Sequence, residues 1–297
     1  MEITLKEHLE GIDSELSSLI LKISDIAVMV SNKLPYMRGI AETRNVYGDL
    51  QSALDLWTDQ LFIVELKELG SVNKLASEEQ KGIVRLNNEG RFFVTSDPLD
   101  GSSNIASNNI VASIVGVYEK DFFTKGRNLV ATMYILYGPV LSLAYSVGKG
   151  VHEFLYKPLR HFILESENIK FPDKGVLYGV GGLRRDWQPQ LREFVEELED
   201  GGLKLRYSGA FAGDFNQILR YGGIVAYPEL VGKPEGKLRL LFESSPVAFM
   251  AEQAGGASSD GTCSISEIEP TSIDQRIPTY IGNKYLVERL EQALHEE

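Results

Sequence analysis

Asp97 and Asp100 close an apolar segment that turns straight into glycine and serine: Val94-Thr95-Ser96-Asp97-Pro98-Leu99-Asp100-Gly101-Ser102-Ser103. The two carboxylates can point at one spot, with the backbone carbonyl of Leu99 between them. Beyond them, the N–H groups of Gly101, Ser102 and Ser103 can form a small anion-binding nest. Carboxylates that hold hard cations, beside donors that hold a phosphate, are the two halves of a metal-assisted phosphatase. Taken alone, the segment equally fits a loop with an Asx turn and a solvated acidic pair.

Further carboxylates supply what this segment lacks. Glu78-Glu79 follow the mixed run Val72–Ser77, Asp49 and Asp55 flank the start of a helix, and Glu243 ends the apolar run Leu238–Phe242. Each has a plain alternative: a surface pair, a helix cap, a helix-face charge. Glu243 is the least easily dismissed, because a lone buried carboxylate is costly. Hydrolysis of a phosphate monoester needs charge neutralised on the transferring group and a water made nucleophilic, which two Mg²⁺ ions about 4 Å apart accomplish. Mg²⁺ prefers carboxylate and carbonyl oxygen. Glu78, Asp97, the Leu99 carbonyl, Asp100 and Glu243 provide such oxygens. His8, His152, His161 and His295 show no ligand spacing, so zinc is not expected.

The elements that must position these groups are legible as patterns. Asp13 or Ser14 caps a helix with apolar face Leu16, Leu19, Ile20, Ile23, Ala27 and Val30, ended by Pro35 and Gly39. A second helix is expected over Leu50–Glu68. The middle reads as strands Arg91–Ser96, Ile110–Val117, Leu129–Tyr137, Val140–Val147, Val151–Tyr156 and His161–Glu165, short-connected and hence antiparallel. The last third alternates strands Gly175–Val180, Lys204–Tyr207, Ile224–Tyr227 and Leu238–Phe242 with helices Pro189–Glu199, Phe211–Arg220, Ser245–Ala254 and Lys284–His295. This predicts an α+β or α/β layered fold, helix and sheet layers alternating in two lobes, 1–173 and 174–297.

Composition narrows the function classes. The chain has 297 residues, 43% hydrophobic and 24% charged, and a formal net charge of −12. Nucleic acid is not an expected partner, since a phosphate backbone needs a basic face. The same charge repels a phosphorylated substrate, so a site for one must carry its own metals and local Lys or Arg. No apolar run is long enough to span a bilayer, and the start of the chain lacks the pattern of a signal peptide. The single cysteine, Cys263, excludes a disulfide framework within one chain and points to a reducing cytoplasm.

The chain resembles the class I fructose-1,6-bisphosphatases, within the lithium-sensitive inositol-phosphatase superfamily. The resemblance rests on an ordered set: Asn45-Val46, Gly48-Asp49, Ser77-Glu78-Glu79, Asp97–Ile105, Arg206-Tyr207, Tyr221–Ile224, Gly236–Glu243, Glu252 with Ala254-Gly255-Gly256, and Gln275-Arg276. Glu243-Ser244-Ser245-Pro246 stands where the superfamily's inositol monophosphatases usually carry Trp-Asp-x-Ala. The resemblance implies the sugar-phosphatase αβαβα fold and hydrolysis of the 1-phosphate of fructose 1,6-bisphosphate in gluconeogenesis by a cytoplasmic homotetramer. It implies two or more Mg²⁺ per subunit on Glu78, Asp97, Leu99 (carbonyl), Asp100 and Glu243, with Asp49 near a further metal. Glu79 and Asp55 would position and deprotonate the water, and Gly101, Ser102 and Ser103 would grip the 1-phosphate. Tyr207, Tyr227, Lys237 and Arg206 would hold the distal phosphate, Arg206 reaching in from a neighbouring subunit.

Two departures from the family pattern carry weight. The usual Asn-Glu-Gly-Tyr run, whose Asn and Tyr bind the distal phosphate, is here Gly181-Gly182-Leu183, one residue shorter. Sedoheptulose 1,7-bisphosphate or an inositol phosphate is therefore the alternative substrate, and a binding protein on a dead phosphatase scaffold the rival from another class. The family's AMP site, at the start of the first helix, is matched only in part by Asp13–Ser17 and Arg91-Phe92, a segment that reads first as an ordinary capped helix.

Overall fold

Strand residues Val111–Tyr118 are buried along their whole length, which requires a layer against each face of the sheet. The computed structural model supplies both layers. It describes residues 2–37, 53–159 and 161–295, with the backbone of 43–44 and 50–51. The helices are α1 (Leu5–His8), α2 (Ser14–Lys33), α3 (Ala53–Glu68), α4 (Pro189–Asp200), α5 (Phe211–Tyr221), α6 (Ser245–Gln253) and α7 (Lys284–His295). A first short ladder pairs β1 (Thr43–Arg44) with β2 (Leu50–Gln51).

The large sheet is built from β3 (Val72–Ser77), β4 (Val84–Arg85), β5 (Phe92–Asp100), β6 (Val111–Tyr118), β7 (Ala131–Tyr137), β8 (Leu141–Ser146), β9 (His152–Lys157) and β10 (His161–Ser166). Its order is β10-β9-β8-β7-β6-β5-β3-β4. The expected antiparallel meander is present from β5 to β10. The β3–β5 pairing is parallel, since the chain crosses between them through β4.

The remaining strands are β11 (Leu177–Val180), β12 (Lys204–Leu205), β13 (Gly223–Tyr227), β14 (Leu238–Arg239), β15 (Ala257–Ser259), β16 (Arg276–Ile277) and β17 (Thr279–Gly282). The smaller sheet runs β12-β11-β13-β17-β15, and β14 pairs with β16.

Strand periodicity sorts the side chains into layers. Val115 and Val117 of β6 pack with Leu19, Ile20 and Ile23 of α2 and Phe62 of α3. Ala112 and Ile114, on the other face, pack with Phe211 and Phe215 of α5 and Val247 and Ala251 of α6. The same α5–α6 layer meets Leu177, Val225 and Ile281 of the smaller sheet. That sheet's outer face, Tyr178, Ile224 and Tyr280, is covered by Phe194 of α4 and Leu286 and Leu290 of α7. The order is α2/α3, large sheet, α5/α6, small sheet, α4/α7, which is the expected αβαβα layering.

Two expectations are corrected. The helix expected to begin at Leu50 begins at Ala53, because Leu50–Gln51 pairs as a strand. The strand expected over Leu238–Phe242 stops at Arg239, and Leu240–Ser244 forms one wide π-type turn leading into α6. A short buried apolar run does not distinguish strand from helix by periodicity.

Candidate active site

Residues three apart on a regular strand face opposite sides, so Asp97 and Asp100 should diverge. A β-bulge prevents this. Asp97 pairs with Ile114 and Asp100 with Ala112, so one extra residue of β5 is absorbed at Pro98-Leu99 and both aspartates stand opposite residues of one face. Proline is tolerated in such a bulge because it has no N–H to offer the ladder. The Ser113 hydroxyl donates to the Pro98 carbonyl at 2.6 Å, and the Leu99 N–H donates to Asp97 Oδ1 at 3.0 Å. The Asx turn of the plain reading is thus present, but on a carboxylate only 3% exposed.

Asp100 accepts the Phe211 N–H at 2.9 Å and the Ala212 N–H at 2.7 Å, which joins the end of β5 to the N-terminus of α5. Gly101 then turns the chain at φ 75°, and a Cβ there would lie 2.5 Å from the Ala210 Cβ. The 3-10 turn Ser102–Ile105 follows. Asn104 fastens it by donating to the Ile110 and Ser208 carbonyls, both at 2.9 Å.

The π-type turn brings in Glu243, whose Oε2 accepts the Arg239 N–H at 2.7 Å. One carboxylate oxygen each from Asp97, Asp100 and Glu243 lie within 4.8 Å of one another. Glu78 enters from the end of β3, its N–H donating to the Ser96 carbonyl at 3.0 Å, and its carboxylate pairs with the buried Arg239 guanidinium. Glu79 is set by its own N–H, which donates to Ser77 Oγ at 3.3 Å. Ser77 Oγ in turn donates to the buried Asp59 at 2.6 Å.

The electrostatics of this cluster are those of crowded buried acids. Burial, then the charges of Glu78, Asp100 and Glu243, hold Asp97 well above the usual carboxylate range. Burial pushes Asp100 up to about 7, against the pull of the α5 N–H groups and Lys237. Burial and the Glu78 charge push Glu243 up to about 8. Ionised carboxylates packed this closely are expensive unless a cation neutralises them. The donor set is all oxygen, which fits Mg²⁺.

The carboxylates open on a cleft of about 200 Å³ that is also lined by Glu79, Leu99, Gly101, Ser102, Ser103, Tyr227 and Lys237. A second cavity of about 390 Å³ adjoins it through Tyr227, Lys237 and Arg276, and reaches Gly181, Gly182 and Lys233. The acidic cleft therefore continues into a second pocket lined by the basic side chains Lys233, Lys237 and Arg276.

Comparison with known proteins agrees with this geometry. Residues 3–167 match the fructose-1-6-bisphosphatase N-terminal domain and residues 171–295 its C-terminal domain. The chain belongs to the class 1 fructose-1,6-bisphosphatase family. It is 46% identical to the class 1 fructose-1,6-bisphosphatase of Geobacter sulfurreducens, over 95% of this chain and 92% of that one. It is 40% identical to that of Methanocorpusculum labreanum, over 97% and 90%. The crystal structure of the Leishmania major fructose-1,6-bisphosphatase in holo form superposes with a TM-score of 0.94 at 31% identity, covering all of both chains.

At Gly181-Gly182, where the family pattern carries side chains, aromatic groups lie close to the backbone. A Cβ at Gly181 would lie 3.1 Å from the Tyr227 ring and 3.2 Å from the Tyr207 hydroxyl. The Tyr207 and Tyr227 rings are 5.8 Å apart, and the Lys237 ammonium sits 5.5 Å over Tyr227. Lys237 itself is exposed.

Not every expected residue lies in this cleft. Asp55 is buried on the first turn of α3 and is not among the lining residues. Arg206 is exposed beside edge strand β12, its N–H donating to the Tyr178 carbonyl at 2.8 Å, and it does not line its own chain's cleft. Asp49 lies outside the described residues.

Other residues enter that the sequence did not single out. Arg239, inside the matched segment Gly236–Glu243, is 2% exposed and buried against Glu78. Arg276 and Lys233 line the second pocket. The only signal for Arg276 was its place in a matched segment, and Lys233 had none. The histidines also need a correction: His8 and His152, which show no ligand spacing, come together with Glu167.

Proposed function

We propose that this chain hydrolyses the 1-phosphate ester of fructose 1,6-bisphosphate to fructose 6-phosphate and phosphate, with Mg²⁺ as the metal. Family membership supplies the reaction and its substrate. The observation that carries the metal reading is the convergence of Asp97, Asp100 and Glu243 within 4.8 Å, beside the Gly101–Ser103 turn. Glu78, Asp97, the Leu99 carbonyl, Asp100 and Glu243 would hold two or more ions, with Asp49 contributing to a further one. Bound there, Mg²⁺ supplies charge neutralisation on the phosphoryl oxygens and a lowered pKa for water.

The chain's own groups do the rest. Ser102 and Ser103 hold the 1-phosphate against the turn at Gly101. Glu79, on the cleft wall, takes the proton of the attacking water, and Asp55 supports that step from α3. Tyr207, Tyr227 and Lys237 hold the distal phosphate and so place the C1 ester in line. The exposure of Arg206 supports its service to a neighbouring subunit's site in a homotetramer. We assign residues 1–173 to a metal and 1-phosphate lobe and 174–297 to a substrate lobe. The enzyme works in the cytoplasm, in gluconeogenesis; no helix among the described residues is long and apolar enough to cross a membrane.

The deciding experiment is phosphate release with Mg²⁺ from fructose 1,6-bisphosphate, sedoheptulose 1,7-bisphosphate and inositol 1-phosphate in parallel. Preference for the fructose ester supports the reading. Equal or faster turnover of either competitor would mean that the Gly181-Gly182 change has remade the distal pocket. No turnover of any would leave a binding protein on this scaffold.

A further inference from the structure

The second cluster of potential ligands lies on the far edge of the large sheet. His8 ends α1, His152 opens β9, and Glu167 follows β10. One ligand atom of each lies within 4.8 Å of the others. We propose that His8, His152 and Glu167 form a second metal site, for one Zn²⁺-like transition-metal ion, which fastens α1 to the sheet.

The hydrogen bonds around the two rings fix which nitrogen each can offer. His152 Nε2 lies 3.1 Å from the Lys149 carbonyl, which only accepts, so Nε2 carries the hydrogen and Nδ1 the lone pair. Nδ1 accepts the N–H of Asn168, the residue after Glu167, in a long contact of 3.4 Å. His8 Nδ1 lies 2.6 Å from the Tyr145 hydroxyl, and its other nitrogen, Nε2, lies 3.4 Å from Glu167 Oε1. Each imidazole therefore has one nitrogen held by an oxygen; the other nitrogen of His8 lies by the Glu167 carboxylate, and that of His152 by the backbone of the next residue. This is how outer partners orient metal-binding histidines. The rings are 4.6 Å apart and tilted by 59°, so they do not stack face to face.

The chemistry also suits the ion. Burial lowers the pKa of His152, which keeps it in the neutral, ligating form at neutral pH. Glu167 is 56% exposed at its side chain and free to swing the short distance needed to reach about 2 Å from a shared ion. Two imidazoles and one carboxylate favour Zn²⁺, Co²⁺ or Ni²⁺ over Mg²⁺, in contrast to the all-oxygen catalytic cluster. Water on the exposed side completes the coordination.

The ion would have structural work to do. A helix of four residues is not stable by its own hydrogen bonds. Helix α1 is held by the Thr4–Glu7 capping box, by the Leu164 N–H donating to Ile3 at 2.8 Å, and by the packing of Leu5 and Leu9. A metal joining His8 to His152 adds a tie between the chain start and β9.

The test is Co²⁺ titration of the full-length protein in saturating Mg²⁺, read by visible absorption. The wild type and Asp97→Asn should show one equivalent of four- or five-coordinate Co²⁺, with its strong bands. His8→Gln and Glu167→Gln should lose them, and Tyr145→Phe should weaken binding about 10- to 100-fold. Zn²⁺ should raise the melting temperature of the wild type and not of His8→Gln, whose metal-free melt and Mg²⁺-dependent activity should be unchanged. Only weak six-coordinate bands in the wild type, or unchanged bands in His8→Gln, would overturn the site.

Discussion

Asp100 at the end of β5 accepts the backbone N–H of Phe211 at 2.9 Å, so a carboxylate of the acidic cluster is also the cap of helix α5. Its second oxygen takes the Ala212 N–H at 2.7 Å. The helix thereby fixes the carboxylate in the cleft, and the positive end of its dipole offsets part of the crowding among the acids. Chemistry and stability meet at one residue, and substitutions can separate them.

Asp100→Asn keeps an oxygen for the cap and loses the charge, whereas Asp100→Ala loses both. Both variants should lose at least about 100-fold in kcat at fixed Mg²⁺ if the carboxylate holds metal at the reacting phosphate. In urea unfolding, Asp100→Ala should be less stable than Asp100→Asn by about 1 kcal/mol, the usual worth of a helix cap. Equal stabilities would show that the cap contributes nothing beyond the charge.

Lys237 is exposed, lies over the Tyr227 ring and borders both pockets. Lys237→Ala should raise KM for fructose 1,6-bisphosphate about 10- to 100-fold with little change in kcat, as expected for losing a charge-assisted hydrogen bond to a remote phosphate. A monophosphate substrate should scarcely notice the change. A fall in kcat with unchanged KM would place Lys237 at the reacting phosphate instead.

Gly101 has φ 75° and no room for a side chain against Ala210. Gly101→Ala should destabilise the fold by about 1–3 kcal/mol through a strained backbone conformation and the clash. It should lower kcat/KM as well, because the same turn carries Ser102 and Ser103. Full activity in a destabilised variant would detach the turn from phosphate binding.

The layered fold was readable because its signals are local. The buried strands from β5 to β10 announce themselves as apolar runs between turn residues, and α7 begins and ends where its periodicity does. The acidic constellation was readable because Asp97-Pro98-Leu99-Asp100 and Glu78-Glu79 are compact motifs. What the sequence hid depends on the third dimension. The bulge that puts Asp97 and Asp100 on one face is a property of pairing with β6, and nothing in the segment alone reveals it. The π-type turn at Leu240–Ser244 looked like a strand because both are short and apolar. His8 and His152 are far apart in the chain, and the packing of α1 on the β10–β9 edge of the sheet brings their rings together.

Arg91, the basic residue of the segment that only partly matches the family's AMP site, is occupied by carboxylates. It pairs with Asp13 at 2.9 Å, Glu119 at 2.5 Å and Glu15 at 3.7 Å, while Asp13 itself takes the Leu16 N–H at 3.0 Å. A phosphate arriving there would meet three acidic side chains and a helix N-terminus already capped. AMP at millimolar levels should therefore leave the initial rate unchanged in the wild type. Cooperative inhibition by AMP would show that these ion pairs open to admit it.

The cluster of raised carboxylates makes stability and metal binding respond to pH in opposite directions. Asp97 lies well above the usual range, Asp100 at about 7 and Glu243 at about 8. In the unfolded chain such groups titrate near pH 4. Between those limits the native state holds more protons than the unfolded state. The stability these groups contribute is therefore fully present below about pH 4 and is lost as pH rises through 7 and 8. Protein stripped with a chelator should melt at a lower temperature at pH 8.5 than at pH 6.5, and Asp97→Asn should reduce that slope. Mg²⁺ needs the ionised carboxylates, so its binding should release protons and tighten over the same interval. Saturating Mg²⁺ should accordingly raise the melting temperature more at pH 8.5 than at pH 6.5, and the Mg²⁺ concentration for half-maximal activity should fall as pH rises. A chelated protein that grows more stable across this interval would mean that these carboxylates are already ionised without metal.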